Sequence, residues 1–133
     1  MKKVLTFGVF DYFHYGHLKL LERARLLGDF LIVAVQRDEE INKNKPNTAV
    51  LYNLQQRMEM INAIRFVDQV IAYSQVCEDI KHVDFDIFAR GEDQLHSGIL
   101  AASRWCEENG KQVITLCRTP NISSSQIKKQ LGE

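Results

Sequence analysis

The chain has 133 residues, 45% of them hydrophobic and 26% charged, which is typical of one soluble domain, and we expect residues 1–133 to form it. Seventeen basic and seventeen acidic residues balance, which argues against a nucleic acid partner. Three cysteines without metal-like spacing predict reduced thiols in a cytoplasmic protein, and no apolar run is long enough for a signal peptide core or a membrane span. Secreted, membrane, collagenous and disordered classes are therefore excluded.

The first half of the chain alternates strand and helix patterns. Residues 4–8 form a short apolar run that predicts a buried strand, and apolar residues at helical spacing over 18–24 predict an amphipathic helix. The continuous β-rich run 30–35 predicts a strand covered on both faces. The polar stretch 42–48 predicts a mobile loop.

The second half continues this alternation. Leu54, Met58 and Ile61 repeat at helical spacing behind Asn53, a candidate N-cap. We expect further strands at 67–71, 85–89 and 113–117, a weak helix at 76–82, a helix at 97–108, and a last helix opened by the capping box of residues 123–126. Strands that alternate with helices predict an α/β fold, a three-layer α/β/α domain with a five-stranded parallel sheet.

The segment from Gly8 to His17 carries the strongest chemical signal. It joins the first predicted strand to the first helix, where backbone N–H groups and the helix dipole favour phosphate. Gly16 removes a side chain where an anion would approach the backbone. His14 and His17 are three residues apart, so both imidazoles can face one phosphate and donate hydrogen bonds to it.

Two simpler interpretations compete with a phosphate site. The histidines could be polar residues near a helix start, although both together, with Gly16 between them, make that explanation weak. They could also form a metal pair, but zinc takes three or four ligands, and neither His82 nor His96 lies at a supporting spacing. We therefore assign no metal ligands.

The segment 8–17 resembles the G-x-F-D-x-x-H-x-G-H signature of the nucleotidyltransferase superfamily of Rossmann-like domains. Further segments look like the glycerol-3-phosphate cytidylyltransferase branch of that superfamily: 20–24, 28–29, 64–68 and 118–128. The ending Arg-Thr-x-x-Ile-Ser-Ser-Ser-x-Ile-Lys at 118–128 is the feature that points to this branch.

The resemblance implies roles for particular residues. Its catalytic groups would be His14, His17, Lys45 and Arg118. Its nucleotide-binding positions would be Thr6, Phe7, Gly8, Phe10, Asp11, Gly16, Gly91, Asp93, Arg118, Thr119, Ile122, Ser123 and Ser124. Its substrate-binding positions would be Lys43, Lys45, Arg57 and Arg65.

Each of these roles has a structural alternative. The capping box explains the serines without a ligand, the two lysines could be a solvated pair, and surface salt bridges could explain Arg57. Asp11 could orient a lysine or a metal-bound water, or cap a turn. Gly91-Glu92-Asp93 matches a Gly-Asp-Asp segment of the family, but Gln94 follows where the family has tryptophan.

The resemblance also implies the reaction. A phosphomonoester attacks the α-phosphorus of CTP directly, with Mg²⁺ bound to the triphosphate, and pyrophosphate leaves. The expected acceptor is glycerol 3-phosphate, and the product CDP-glycerol would feed cell-wall or capsule polymers. By analogy we expect a homodimer, with apolar residues of 66–71 as contributors, and no membrane partner. Ethanolamine phosphate or a sugar phosphate as acceptor, ATP as donor, and a non-catalytic nucleotide-binding module remain alternatives.

Overall fold

The structure is a computed structural model that describes residues 1–44 and 51–117, the side chains of residues 42–44 excepted. These residues form a parallel sheet flanked by helices. The strands are β1 (Lys3–Gly8), β2 (Phe30–Gln36), β3 (Gln69–Tyr73), β4 (Ile87–Gly91) and β5 (Gln112–Leu116). The helices are α1 (Tyr15–Arg25), α2 (Asp38–Asn44), α3 (Leu54–Asn62), α4 (Val76–Asp79) and α5 (Ser97–Glu108), and a 3₁₀ turn, Ile80–His82, follows α4.

The strand order within the sheet is β3-β2-β1-β4-β5, and all four strand pairs are parallel. The chain builds outward from β1 through β2 to β3, then crosses back to β4 and β5. The direction of winding therefore reverses between β1 and β4. In an open parallel sheet, ligands bind outside the carboxyl ends of the strands at this reversal. The predicted α/β class with a five-stranded parallel sheet is confirmed.

Helices cover both faces of the sheet, as the three-layer prediction requires. On one face, Phe7 and Phe88 of the sheet pack with Ile99 and Cys106 of α5. On the other face, Val33 packs with residues of α1 and α3: Leu21, Ala24 and Ile61. The inner strands β1 and β2 are buried almost throughout, because they are covered on both sides.

Two strands begin two residues later than predicted. The apolar residues at 67 and 85 are each followed by an aspartate whose carboxylate accepts a hydrogen bond from a neighbouring strand. Asp68 accepts from the Leu31 N–H at 2.8 Å, and Asp86 accepts from the Lys3 N–H at 2.9 Å. These aspartates cap the amino-terminal edge of the sheet, so the ladders of β3 and β4 start only after them.

The polar stretch 42–48 was expected to be a loop, and this expectation is wrong for its first three residues. Residues 42–44 belong to α2. Asp38, Glu39 and Glu40 fill the first turn of that helix, where carboxylates interact favourably with the helix dipole. The pattern escaped detection because α2 buries little apolar surface beyond Ile41.

The other helices agree with the sequence. Asn53 caps α3, since its side chain accepts a hydrogen bond from the Gln56 N–H at 2.9 Å. The weak helix at 76–82 is present as α4 and the 3₁₀ turn, and α5 has the predicted bounds. The last predicted helix lies outside the described residues. Among the helices within 1–44 and 51–117, none combines the length and apolar character needed to cross a bilayer.

Candidate functional site

The loop from Val9 to His14 joins β1 to α1 at the reversal of the sheet. Two of its aromatic residues have left-handed backbone conformations, Phe10 with φ 58° and Tyr12 with φ 50°. Such conformations cost energy in non-glycine residues and cluster at functional sites. Phe10 is buried, and its ring lies where a Cβ on Gly8 would come within 2.6 Å. Gly8 is therefore needed for this loop to fold back on its own strand.

The two histidines of the loop and helix lie directly against each other. Their ring centroids are 3.9 Å apart, with an angle of 20° between the planes. The backbone N–H of His14, the N-cap of α1, donates to Nδ1 of His17 at 3.2 Å. Phe10 and Phe13 hold the His17 ring from two sides, at centroid distances of 5.5 and 5.4 Å. The imidazole pair is thus fixed at the helix N-terminus.

Both imidazoles are held in the neutral form at pH 7. Burial, and to a smaller extent the neighbouring His14, lower the pKa of His17 to about 4. Burial also lowers the pKa of His14, while the negative charge of Asp93 acts in the opposite direction. Because Nδ1 of His17 accepts a hydrogen bond, its proton resides on Nε2, which makes Nε2–H a donor.

The carboxylate of Asp11 anchors the segment that precedes α3. It accepts hydrogen bonds from the Leu51 N–H at 2.8 Å and the Tyr52 N–H at 3.2 Å. Asp11 is largely buried. Of the roles considered for Asp11, this geometry agrees with the capping of a turn. The hydrogen bonds join the β1–α1 loop to a segment 40 residues further along the chain.

Arg57 of α3 is fully buried, with 0% of its surface exposed. Its Nη1 donates to the carbonyl oxygens of Val9 at 2.8 Å and Gln36 at 2.9 Å, and its Nε donates to that of Tyr52 at 3.0 Å. Its Nη2 pairs with the carboxylate of Asp38. We expected a substrate contact or a surface salt bridge for Arg57; instead the guanidinium contacts protein atoms and positions the β1–α1 loop.

The loop after β4 faces the histidine loop across the reversal. Gly91 ends the strand, and a Cβ there would come within 3.1 Å of a carboxylate oxygen of Asp93. The negative charge of Asp93 acts to raise the pKa of His14, against the larger effect of burial. Gln94 links the strands themselves, because its Nε2 donates to the Phe7 carbonyl oxygen at 2.8 Å.

The predicted nucleotide-binding residues Thr6 and Phe7 of β1 are buried. Thr6 is 0% exposed, and the ring of Phe7 packs in the core against Tyr73 and Phe88. Two buried polar atoms, Oγ1 of Thr6 and Nδ1 of His14, have no hydrogen-bond partner within 1–44 and 51–117. Unpaired buried polar atoms are costly, so their presence in β1 and at the N-cap of α1 fits a site that binds a polar ligand.

The remaining predicted site residues are only partly described. Lys43 lies on α2, with its side chain outside the description, and Lys45 lies outside the described residues altogether. Arg65 is exposed, just after α3. Residues 118–124, which carry the predicted Arg118, Thr119, Ile122, Ser123 and Ser124, are also outside. Gly16 lies in the first turn of α1, which contains no acidic residue to repel a phosphate.

Two residues of this region were not predicted as site residues. Asp38 pairs with Arg57, and its only signal in the sequence was the acidic run 38–40, which starts a helix that was not predicted. Gln94 was noted only as a departure from the family pattern, although its side chain joins β1 to β4. Within the described ranges, no three His, Cys, Asp or Glu side chains gather in a way that would hold a metal ion.

Comparisons with known proteins agree with this geometry. A family model described as cytidylyltransferase-like matches residues 5–130. Glycerol-3-phosphate cytidylyltransferase of Staphylococcus aureus is 40% identical over 98% of this chain and 96% of its own length. Its counterpart in Bacillus subtilis is 39% identical over 99% and 98%.

The fold agrees as well. A lipopolysaccharide core biosynthesis protein from Thermoplasma volcanium superposes with a TM-score of 0.74 at 26% identity, over 90% of this chain and 97% of that one. The sequence match and the fold agree over nearly the whole chain. The chain belongs to the cytidylyltransferase-like family.

Proposed function

We propose that this chain transfers the cytidylyl group of CTP to glycerol 3-phosphate and releases pyrophosphate and CDP-glycerol. Two relatives named for this activity, about 40% identical over nearly the full chain, support the proposal. The observation that carries it is the stacked pair His14 and His17 at the start of α1. This pair lies at the carboxyl end of β1, where a parallel sheet of this order binds its ligand.

The reaction needs no protein nucleophile. An oxygen of the acceptor phosphate attacks the α-phosphorus in line, and a new P–O bond forms. The bond from that phosphorus to the pyrophosphate oxygen breaks, and pyrophosphate leaves with the electron pair. The protein contributes alignment of the two phosphates, which is worth up to roughly 7–11 kcal/mol, and fixed hydrogen-bond donors around the charge that develops.

The neutral imidazoles are suited to the second task. The Nε2–H of His17 is a donor that does not depend on protonation, since the pKa of His17 is about 4. A fixed donor of this kind is typically worth about 2.7–4 kcal/mol in a transition state. Stacking against His14 and the two phenylalanines keeps the ring from turning away.

The cationic contacts of the triphosphate are proposed from the family resemblance. Lys45, or Lys43 of α2, would lie over the phosphates, and the residues from 118 to 124 would hold the nucleotide. Asp11 supports this arrangement, because its carboxylate anchors the chain at Leu51 and Tyr52, just beyond the lysines. Arg65, exposed after α3, stays a proposed substrate contact.

We propose that Mg²⁺ binds as part of the substrate, the Mg–CTP complex. The ion is expected to be held by phosphate oxygens and water, which is its usual mode with nucleotides. Bound in this way, Mg²⁺ would neutralise part of the triphosphate charge.

We also propose a location, an oligomeric state and a product use for the enzyme. It acts in the cytoplasm as a homodimer, and its product feeds cell-wall or capsule polymers. The dimer proposal is supported by β3, an outer strand of the described sheet, whose residues Val70 and Ile71 are only partly buried. The polymer role is supported by the nature of CDP-glycerol, an activated polyol phosphate.

A related activity with another acceptor is the second candidate. Gln94 stands where the glycerol-phosphate enzymes have tryptophan, and this departure lies beside Asp93 in the loop that faces the histidines. Ethanolamine phosphate and sugar phosphates are the acceptors to compare. The donor could differ in the same way, with ATP in place of CTP.

The experiment is pyrophosphate release with a panel of substrates. The purified protein with Mg²⁺ is incubated with each of CTP, ATP, GTP and UTP, alone and with glycerol 3-phosphate, ethanolamine phosphate and a sugar phosphate. We expect release only with CTP and glycerol 3-phosphate, and an equal amount of CDP-glycerol. Release with another acceptor identifies the second candidate. Release with ATP but not with CTP refutes the cytidylyl assignment, and no release from any pair favours a binding module.

A further inference from the structure

The two central strands of the sheet separate at their carboxyl ends. β1 pairs with β2 along its full length, up to Gly8, and β4 pairs with β5 up to Gly91. Between β1 and β4, however, the ladder contains only two residue pairs and ends at Leu5 and Phe88. The opening therefore lies at the reversal of the sheet and nowhere else along these two strands.

The side chain of Gln94 occupies this opening. In a continued parallel ladder, the Phe7 carbonyl would accept a hydrogen bond from the Gly91 N–H. Instead, Nε2 of Gln94 donates to the Phe7 carbonyl oxygen at 2.8 Å, and Oε1 of Gln94 accepts from the Gly91 N–H at 3.0 Å. One carboxamide thus replaces one rung of the ladder and satisfies both backbone groups.

The turn after β4 holds Gln94 in this position. The Gln94 N–H donates to the Gly91 carbonyl oxygen at 3.0 Å, which closes a tight turn. A Cβ on Gly91 would lie 3.4 Å from Oε1 of Gln94 and 3.1 Å from the Asp93 carboxylate. Gly91 therefore leaves room for both side chains to fold back over the strand end.

We propose that Gln94 is a positioning residue, which sets the distance between the ends of β1 and β4 and thereby shapes the place where the nucleotide binds. The proposal rests on the proposed function, because it assumes that a nucleoside triphosphate binds at this edge. Gln94 acts through the strand ends: on one side Phe7 leads into the histidine loop, and on the other Gly91 leads to Asp93. Its loss should weaken binding of the nucleotide more than it slows the chemical step.

Two variants remove the bridge in different ways. Gln94→Glu is nearly isosteric and keeps an acceptor for the Gly91 N–H, but it cannot donate to the Phe7 carbonyl and places two oxygens face to face. Gln94→Leu removes both hydrogen bonds and keeps most of the volume. Gln112→Glu, at an exposed position at the start of β5, makes the same chemical change away from the site and is the matched control.

The test is calorimetric titration with Mg–CTP, followed by steady-state kinetics. We expect both Gln94 variants to bind CTP at least tenfold more weakly than wild type, while kcat at saturating CTP stays within about threefold. KM for the acceptor should change less than KM for CTP. Gln112→Glu should match wild type throughout. All titrations are made below the melting temperature of each variant, so that loss of folded protein does not count as loss of binding.

A second measurement reports on the bridge itself. Amide hydrogen exchange at Gly91 should be at least tenfold faster in Gln94→Leu, because its N–H loses the acceptor, and should change less in Gln94→Glu. CTP affinity equal to wild type in both variants would overturn the proposal even if exchange at Gly91 changes. If wild type binds no CTP, the cytidylyl assignment fails instead, and the same comparison is made with the triphosphate that wild type does bind.

Discussion

The backbone N–H of His14 donates to Nδ1 of His17, and this bond determines which nitrogen of His17 carries the proton. With Nδ1 occupied as an acceptor, a neutral His17 has its proton on Nε2. The two rings then stack 3.9 Å apart without a charge between them. The site therefore has neutral hydrogen-bond donors at a helix N-terminus. Positively charged groups that contact the triphosphate must come from other side chains.

This arrangement predicts how stability depends on pH. The pKa of His17 is about 4 in the folded protein, below its ordinary value of 6.5. Between these values the unfolded chain binds a proton that the folded chain does not, so stability falls as pH falls from 6.5 towards 4. Because the ring is partly exposed, we expect a loss of about 1–2 kcal/mol from this group between pH 7 and pH 5.

Urea unfolding at pH 7 and pH 5 measures this effect. His17→Ala should lose less stability on acidification than wild type, whereas His82→Ala, at an exposed position in the 3₁₀ turn, should behave as wild type. Identical pH dependence in wild type and His17→Ala would show that folding does not lower the pKa of His17.

Removal of the Arg57 side chain is expected to destabilise the fold strongly. Arg57→Met removes one donor from the Asp38 carboxylate, which keeps the Leu54 N–H, and one donor from each of three carbonyl groups. Because the Asp38 side chain is one-third exposed, the cost comes mainly from the carbonyl groups, at about 1–3 kcal/mol for each group left unsatisfied, and we expect a loss of about 3 kcal/mol in the free energy of unfolding. Arg104→Met, exposed on α5, should change it by less than about 1 kcal/mol. Equal, small losses for both variants would contradict the positioning role of Arg57.

The carboxylate of Asp11 should slow amide hydrogen exchange at Leu51 and Tyr52, the residues that follow the segment with Lys43 and Lys45. Asp11→Asn can still accept one hydrogen bond but turns an amide group towards the second N–H. We expect amide exchange at Leu51 or Tyr52 to become roughly tenfold faster or more, since hydrogen bonds to a charged group contribute about 1.5–3 kcal/mol. KM for CTP should rise in parallel. Unchanged exchange at both amides would show that this anchor is not needed.

Local patterns in the sequence were sufficient for most of the fold. The helix at 97–108 was predicted with its observed bounds, because its apolar residues have a clear helical period. The helix α2 was not predicted, since it is short and mostly polar. The starts of β3 and β4 were placed two residues early, because an apolar run does not show where an aspartate such as Asp68 will cap a neighbouring strand.

The site was predictable where its residues are close in sequence. His14 and His17 are neighbours on one helical turn, so their spacing alone indicated that they meet. The environment of Arg57 was not predictable in this way, because its partners come from three separate segments of the chain, around Val9, Gln36 to Asp38, and Tyr52. The same holds for Gln94, which bonds to a residue 87 positions away. Such contacts depend on the complete sheet.

The rate of pyrophosphate release from CTP and glycerol 3-phosphate, measured in wild type and in His17→Ala, tests the role of the His17 imidazole. If the Nε2–H of His17 stabilises the charge that develops at the α-phosphorus, the variant should lose about a hundred- to a thousandfold in kcat. Its circular dichroism spectrum should stay that of the folded protein, and His82→Ala should retain the wild-type rate. A His17→Ala protein that is folded and as fast as wild type would show that the Nε2–H of His17 does not stabilise the transition state.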